Sequence, residues 1–129
     1  MPMAAFLKIL IVDDQNSVRQ MTRMTLEEIG IRHILEAENG RKALDTASLQ
    51  PVDLIISDYN MPEMDGLCLL RAVRGHPSVR RVPFILLTGR GDRELVVKAA
   101  QAGANNYVIK PFTAKVLREK IEQVVGKLS

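Results

Sequence analysis

Phe6-Leu7-Lys8-Ile9-Leu10-Ile11-Val12-Asp13-Asp14 is an apolar run that stops abruptly on two carboxylates. Three later runs end in the same manner. Val52-Asp53-Leu54-Ile55-Ile56-Ser57 leads into Asp58, Val82-Pro83-Phe84-Ile85-Leu86-Leu87 into Thr88, and Asn106-Tyr107-Val108-Ile109 into Lys110. Short segments rich in Val, Ile and Leu suit strands covered on both faces. Strands are therefore expected at about 6–12, 33–37, 52–57, 82–88 and 106–109. The second, His33-Ile34-Leu35-Glu36-Ala37, has polar members and reads as a sheet edge.

Helical patterns separate these runs. Ser17-Val18-Arg19-Gln20 fits a capping box, followed by apolar positions at Val18, Met21, Leu26 and Ile29 and a stop at Gly30. Asn39 is placed to cap a second helix running to about Gln50. Asp65 is placed to cap a third, with Leu67, Leu70 and Val73 inward and Gly75 at its end. A fourth helix is expected from about Asp92 to Ala102 before Gly103, and a fifth carries Leu117, Ile121, Val124 and Leu128 at helical spacing. Strict alternation predicts a three-layer α/β/α fold: a doubly wound, five-stranded parallel sheet of order 2-1-3-4-5, flavodoxin-like in arrangement. Ligands in such sheets bind beyond the strand C-termini, where strands one and three diverge. Asp13-Asp14 and Asp58 end those two strands.

The 129 residues suit one domain, 1–129, and 47% apolar with 26% charged residues reads as globular and soluble. No apolar run approaches the roughly 18 residues of a membrane span, and no secretory signal is visible at the start. Cys68 is the single cysteine, expected as a small buried hydrophobe on a helix. No internal disulfide is possible, which fits a reducing cytoplasm. The net charge of +3 divides unevenly, with −4 over residues 1–64 and +7 over 65–129. The basic half reads as a solvated surface or one that steers an acidic partner. No aromatic interleaving and no helix-turn-helix pattern point to nucleic acid.

Singly, each strand-end residue has an ordinary explanation in loop, cap or surface chemistry. Together they form a set suited to one reaction. Two carboxylates about 5 Å apart repel by about 3 kcal/mol at an effective dielectric near 20, so three need a cation nearby. Oxygen donors without His or Cys select a hard ion, and Mg2+ fits best. A carboxylate beside a lysine can act as a nucleophile toward phosphorus, and Asp58 is the central candidate. There is no Walker A loop, GxGxxG motif or Ser-His-Asp set.

The segments Ile11-Val12-Asp13-Asp14, Ser57 through Gly66, Leu87-Thr88-Gly89, Gly103-Ala104 through Tyr107, and Lys110-Pro111-Phe112 together resemble bacterial response-regulator receiver domains, most of all the stand-alone chemotaxis type. The resemblance spans essentially the whole chain. The order 2-1-3-4-5 is a known property of that family, so this part of the expectation belongs partly to the resemblance. The resemblance implies that Asp58 accepts a phosphoryl group from a histidine kinase of the chemotaxis type. It implies Mg2+ ligation by Asp14, Asp58 and the backbone carbonyl of Asn60, with Asp13 assisting through water. Lys110 and Thr88 would contact the phosphoryl oxygens, Thr88 and Tyr107 would form a switch, and the Lys110-Pro111 bond would be cis.

The same resemblance marks Gly89, Arg90 and Pro111 as modulating positions. Arg90 lies where family members differ and dephosphorylation is tuned, by contact with the phosphoryl group or by obstructing a phosphatase. A signal is expected to leave a monomeric receiver, without an output domain, through the helix 4–strand 5–helix 5 face. Arg93, Lys98, Lys115, Arg118, Lys120 and Lys127 are expected to be exposed there. The expected partners are the flagellar motor switch or a histidine phosphotransfer protein, with no nucleic acid and no membrane. Relay and phosphate-sink roles are the alternatives. A metal-dependent phosphatase with an aspartyl nucleophile is the rival from another class, weakened because Asn60 stands where its acid–base Asp would be. A binding-only pseudo-receiver is disfavoured by the complete site set.

Overall fold

The computed structural model describes residues 3–89 and 91–129. After a 3-10 turn at Ala4–Phe6, the elements are β1 Lys8–Val12, α1 Asn16–Ile29, β2 His33–Ala37, α2 Gly40–Leu49 and β3 Leu54–Asp58. They continue as α3 Gly66–Gly75, β4 Phe84–Thr88, α4 Arg93–Ala102, β5 Asn106–Ile109 and α5 Ala114–Val125. All strand pairs are parallel and the order is β2-β1-β3-β4-β5, as expected. The sheet edge at β2 was legible from its polar residues.

Strand alternation divides the core into two. Ile9, Ile11, Leu54, Ile56, Ile85, Leu87 and Val108 face Leu26, Ile29, Leu117 and Ile121 of α1 and α5. Leu10, Val12, Ile55, Phe84 and Leu86 face Ala43, Leu70, Val73, Leu95 and Ala99 of α2, α3 and α4. This double covering explains why the central strands read as continuous apolar runs rather than alternating ones.

Two of the proposed caps form: the side chains of Asn39 and Asp65 accept from the amides of Lys42 and Cys68. Asp92 and Thr113 cap α4 and α5 in the same way, accepting from the amides of Leu95 and Val116. The capping box at Ser17 does not form. Helix α1 is capped two residues earlier, at Gln15, which makes no side-chain cap bond, and Gln20 reaches across to Glu36 instead. The inward stripe of α1 also differs from expectation: Thr22, Leu26 and Ile29 are buried, whereas Met21 is 67% exposed. Thr22 tolerates burial because its hydroxyl donates to the Val18 carbonyl.

Phe6 lies in the 3-10 turn, 71% exposed, so β1 is shorter than the apolar run. Likewise β3 starts at Leu54 and β4 at Phe84. Leu128 is buried as expected but beyond the end of α5. Cys68 is exposed, contrary to expectation. The inward face of α3 is made by Leu67, Leu69, Leu70 and Val73, which turns Cys68 and Arg71 to the outside. A hydrogen bond with Asp65 pushes the Cys68 thiol above its ordinary pKa, which disfavours the reactive thiolate.

Candidate functional site

Every strand C-terminus lies along one edge, and that edge gathers the reactive residues. Asp13 follows β1; its amide donates to the Ala37 carbonyl, 3.2 Å away on the neighbouring strand path. Asp58 and Thr88 are the last residues of β3 and β4, and both are almost fully buried at 4% and 2% exposure. The Lys110 amide donates to the Thr88 carbonyl at 2.8 Å, which brings its side chain back over the sheet edge. The Lys110-Pro111 peptide is cis.

Carboxylate oxygens of Asp13, Asp14 and Asp58 lie within 4.8 Å of one another. The Lys110 ammonium donates to Asp58 Oδ1 at 2.5 Å. Asp13 Oδ1 accepts from the Gln15 amide at 2.9 Å, while its buried Oδ2 has no hydrogen-bond partner. Burial pushes the Asp13 carboxyl above its ordinary pKa, and the charges of Asp58 and Asp14 add to this. The Gln15 amide and the Lys110 ammonium pull the other way. A buried carboxylate oxygen without a donor, in a cluster of three carboxylates, fits a hard divalent cation.

Beside the cluster is a cavity of about 230 Å³ lined by Asp58, Tyr59, Asn60, Thr88, Gly89 and Lys110. Its floor depends on the β3–α3 loop. The Tyr59 amide donates to the Leu87 carbonyl and the Gly66 amide to the Tyr59 carbonyl, both at 2.8 Å. A Cβ on Gly66 would stand 2.4 Å from the Asp58 carbonyl oxygen, so only glycine lets α3 begin this close to the site.

The structure thus brings together Asp13, Asp14, Asp58, Asn60, Thr88, Gly89 and Lys110. Pro111 turns to a separate groove of about 390 Å³ shared with Val18 and Met21 of α1. Tyr107 is not among the residues lining the Asp58 cavity. Half-buried, it borders a groove along α4 and carries the Lys120 ammonium 4.8 Å from its ring centre. Lys120 is therefore only partly exposed, unlike the five other basic residues expected on that face. Arg90 lies outside the described residues.

Sequence reading missed Arg19 and Glu36. Arg19 donates to the Asp13 carbonyl at 2.7 Å and to Glu36 Oε1 at 2.7 Å. Glu36 accepts also from Gln20 and Arg23, each at 2.8 Å. Burial alone would raise the Glu36 pKa, but the hydrogen bonds and charges of Arg19 and Arg23 outweigh it and hold the carboxyl below its ordinary 4.5. The one visible signal was an acidic residue inside an apolar strand.

Comparison with known proteins agrees with this geometry. The family described as response regulator receiver domain matches residues 9–122. A probable chemotaxis protein CheY of Rhizobium etli is 44% identical over 128 residues, covering 99% of both chains. The solved chemotaxis protein CheY4 of Vibrio cholerae superposes with a TM-score of 0.87 at 36% identity, covering 94% of this chain and all of that one. The receiver domain of a Pseudomonas aeruginosa sensor histidine kinase, solved with magnesium coordinated in its active-site cleft, gives a TM-score of 0.83 at 30% identity. It covers 94% of this chain and 98% of that one. On fold, strand-end chemistry and full-length similarity alike, the chain belongs to the response-regulator receiver family.

Proposed function

We propose that this chain is a response regulator that takes a phosphoryl group on Asp58 and signals in chemotaxis by phosphorylation-dependent protein binding. The observation that carries this reading is the Asp58–Lys110 contact of 2.5 Å at the centre of the carboxylate cluster. An Asp58 oxygen attacks the phosphorus of a phosphohistidine on a histidine kinase. The P–N bond breaks with its electron pair going to the imidazole nitrogen, which takes a proton from solvent and leaves as neutral imidazole, and an acyl phosphate remains on Asp58. Lys110 and Thr88 neutralise and hydrogen-bond the phosphoryl oxygens. Asp14, Asp58 and the Asn60 carbonyl would hold Mg2+, with Asp13 assisting through water, and the ion would supply charge neutralisation at the phosphoryl oxygens. The magnesium site of the similar kinase receiver domain supports this assignment. The only chemistry assigned to the chain is its own phosphorylation and dephosphorylation.

Thr88 moving toward the phosphoryl group and Tyr107 turning inward would couple the site to the α4–β5–α5 face, provided the active packing binds the phosphoryl better. That face exposes Val97, Ile109 and Val116 among Arg93, Lys98, Lys115 and Arg118. Apolar anchors within a basic rim suit an acidic partner segment, the flagellar motor switch being the reading that the CheY relatives favour. The chain acts in the cytoplasm, as a monomer, beside its kinase; its exposed thiol fits a reducing compartment.

Labelling with acetyl phosphate or a phosphohistidine donor in Mg2+ is expected to modify Asp58, and Asp58→Asn is expected to abolish it. Undiminished labelling of that variant overturns the assignment. Retention of the motor switch protein only in the presence of a phosphoryl mimic supports the output. Retention of a histidine phosphotransfer protein alone would replace it with a relay.

A further inference from the structure

Arg19 occupies a place that surface ion pairing does not account for. Its side chain is only 13% exposed, and three of its nitrogens are engaged at once: Nε on Glu36, NH1 on the Asp13 carbonyl and NH2 on Asn16 Oδ1 at 2.8 Å. The Asp13 carbonyl belongs to the peptide that joins Asp13 to Asp14. Its oxygen is gripped by Arg19 at 2.7 Å, and the amide of Asp13 is gripped by Ala37. Both ends of Asp13 are therefore fixed, the amide by β2 and the carbonyl by α1, and the plane of the following peptide sets the direction in which the Asp14 side chain leaves the backbone.

We propose that Arg19 is a positioning residue for the cation site: it aligns the Asp13–Asp14 arm, and Glu36 holds it there. The inference rests on the magnesium reading above and extends it to residues that do not touch the ion. Glu36 has two tasks. Its carboxylate aims the planar guanidinium fork, and its negative charge balances the partly buried guanidinium cation. Gln20 and Arg23 complete the Glu36 shell, so the acid is fixed from three sides. A lysine cannot replace Arg19, because one ammonium lacks the rigid fork that spans the Asp13 carbonyl and Glu36 together. Partners that orient metal ligands commonly change affinity by about 10- to 100-fold when removed.

The test is a calorimetric Mg2+ titration of the folded chain, without phosphoryl donor. Arg19→Ala and Arg19→Lys are expected to weaken Mg2+ binding about tenfold, and Glu36→Gln to weaken it by less. Arg23→Ala touches Glu36 but not Asp13; it is expected to lower the unfolding temperature while leaving Mg2+ affinity within about twofold of the parent. Wild-type Mg2+ affinity in Arg19→Lys and Arg19→Ala, with Asp14→Asn impaired, overturns the role of Arg19 alone. Wild-type affinity in Asp14→Asn as well overturns the magnesium site itself. An equal loss in Arg23→Ala and Arg19→Lys would show a general stability effect and also overturn the proposal.

Discussion

At the scale of single residues, the site is a set of charges that the fold holds close despite their repulsion. Asp13 is the clearest case, because one of its oxygens is buried without a donor and its carboxyl is harder to ionise than usual. Two like charges at about 5 Å cost about 3 kcal/mol at an effective dielectric near 20, and Lys110 cancels part of this. Asp13→Asn keeps an acceptor for the Gln15 amide and removes one charge. It is expected to stabilise the Mg2+-free protein by about 1 kcal/mol in urea unfolding, with the gain shrinking as Mg2+ is added to both proteins. Asp13, Asp14, Asp58, Thr88 and Lys110 were legible because each stops an apolar run. Arg19 was not: its role depends on a carbonyl six residues earlier and a carboxylate on another strand.

At the scale of elements, β2 and the β3–α3 loop carry the support. Glu36 joins β2 to α1 through two arginines, and its folded pKa is lower than its unfolded one. For a carboxylate so shifted, the stabilisation is present above the unfolded value near 4.5 and is lost as pH falls through the lower folded value. Urea unfolding between pH 6 and about pH 3 should show this loss, and Glu36→Gln should flatten that part of the profile. Gly66 is the second element-level constraint. Gly66→Ala would force α3 or the end of β3 to shift, at a cost of about 1–3 kcal/mol. Asp58 labelling is expected to slow in that variant while Asp65 still caps α3, a combination that amide exchange and labelling rates together would reveal.

At the scale of the whole molecule, cation binding and folding are linked. An ion that binds only the folded chain stabilises it by about 2.7 kcal/mol at a hundredfold excess over its dissociation constant. For a domain of this size the unfolding temperature should rise by several degrees in Mg2+. Asp14→Asn should lose most of that rise, and chelation should reverse it in the parent; scanning calorimetry measures both. The uneven charge of the sequence acquires a location at this scale. Five of the second half's twelve basic residues lie on α4 and α5, partly offset by Glu94, Glu119 and Glu122 and with Lys120 partly withdrawn onto Tyr107, while the acidic half supplies all three clustered carboxylates.

The alternation of strands and helices, the parallel sheet and the strand-end residues are legible in the amino-acid order, because local periodicity, caps and abrupt polar stops are written in consecutive positions. The order of the strands and the roles at the site came partly from family resemblance. Folding in three dimensions set which face of α1 turns inward, exposed Cys68, and gave Gln20 to Glu36 rather than to a capping box. It alone placed Arg19 on the Asp13 carbonyl and left Tyr107 lining a groove other than the Asp58 cavity. Those outcomes depend on packing between elements far apart in the chain, where a buried donor takes the best acceptor the fold offers and not the nearest one in sequence.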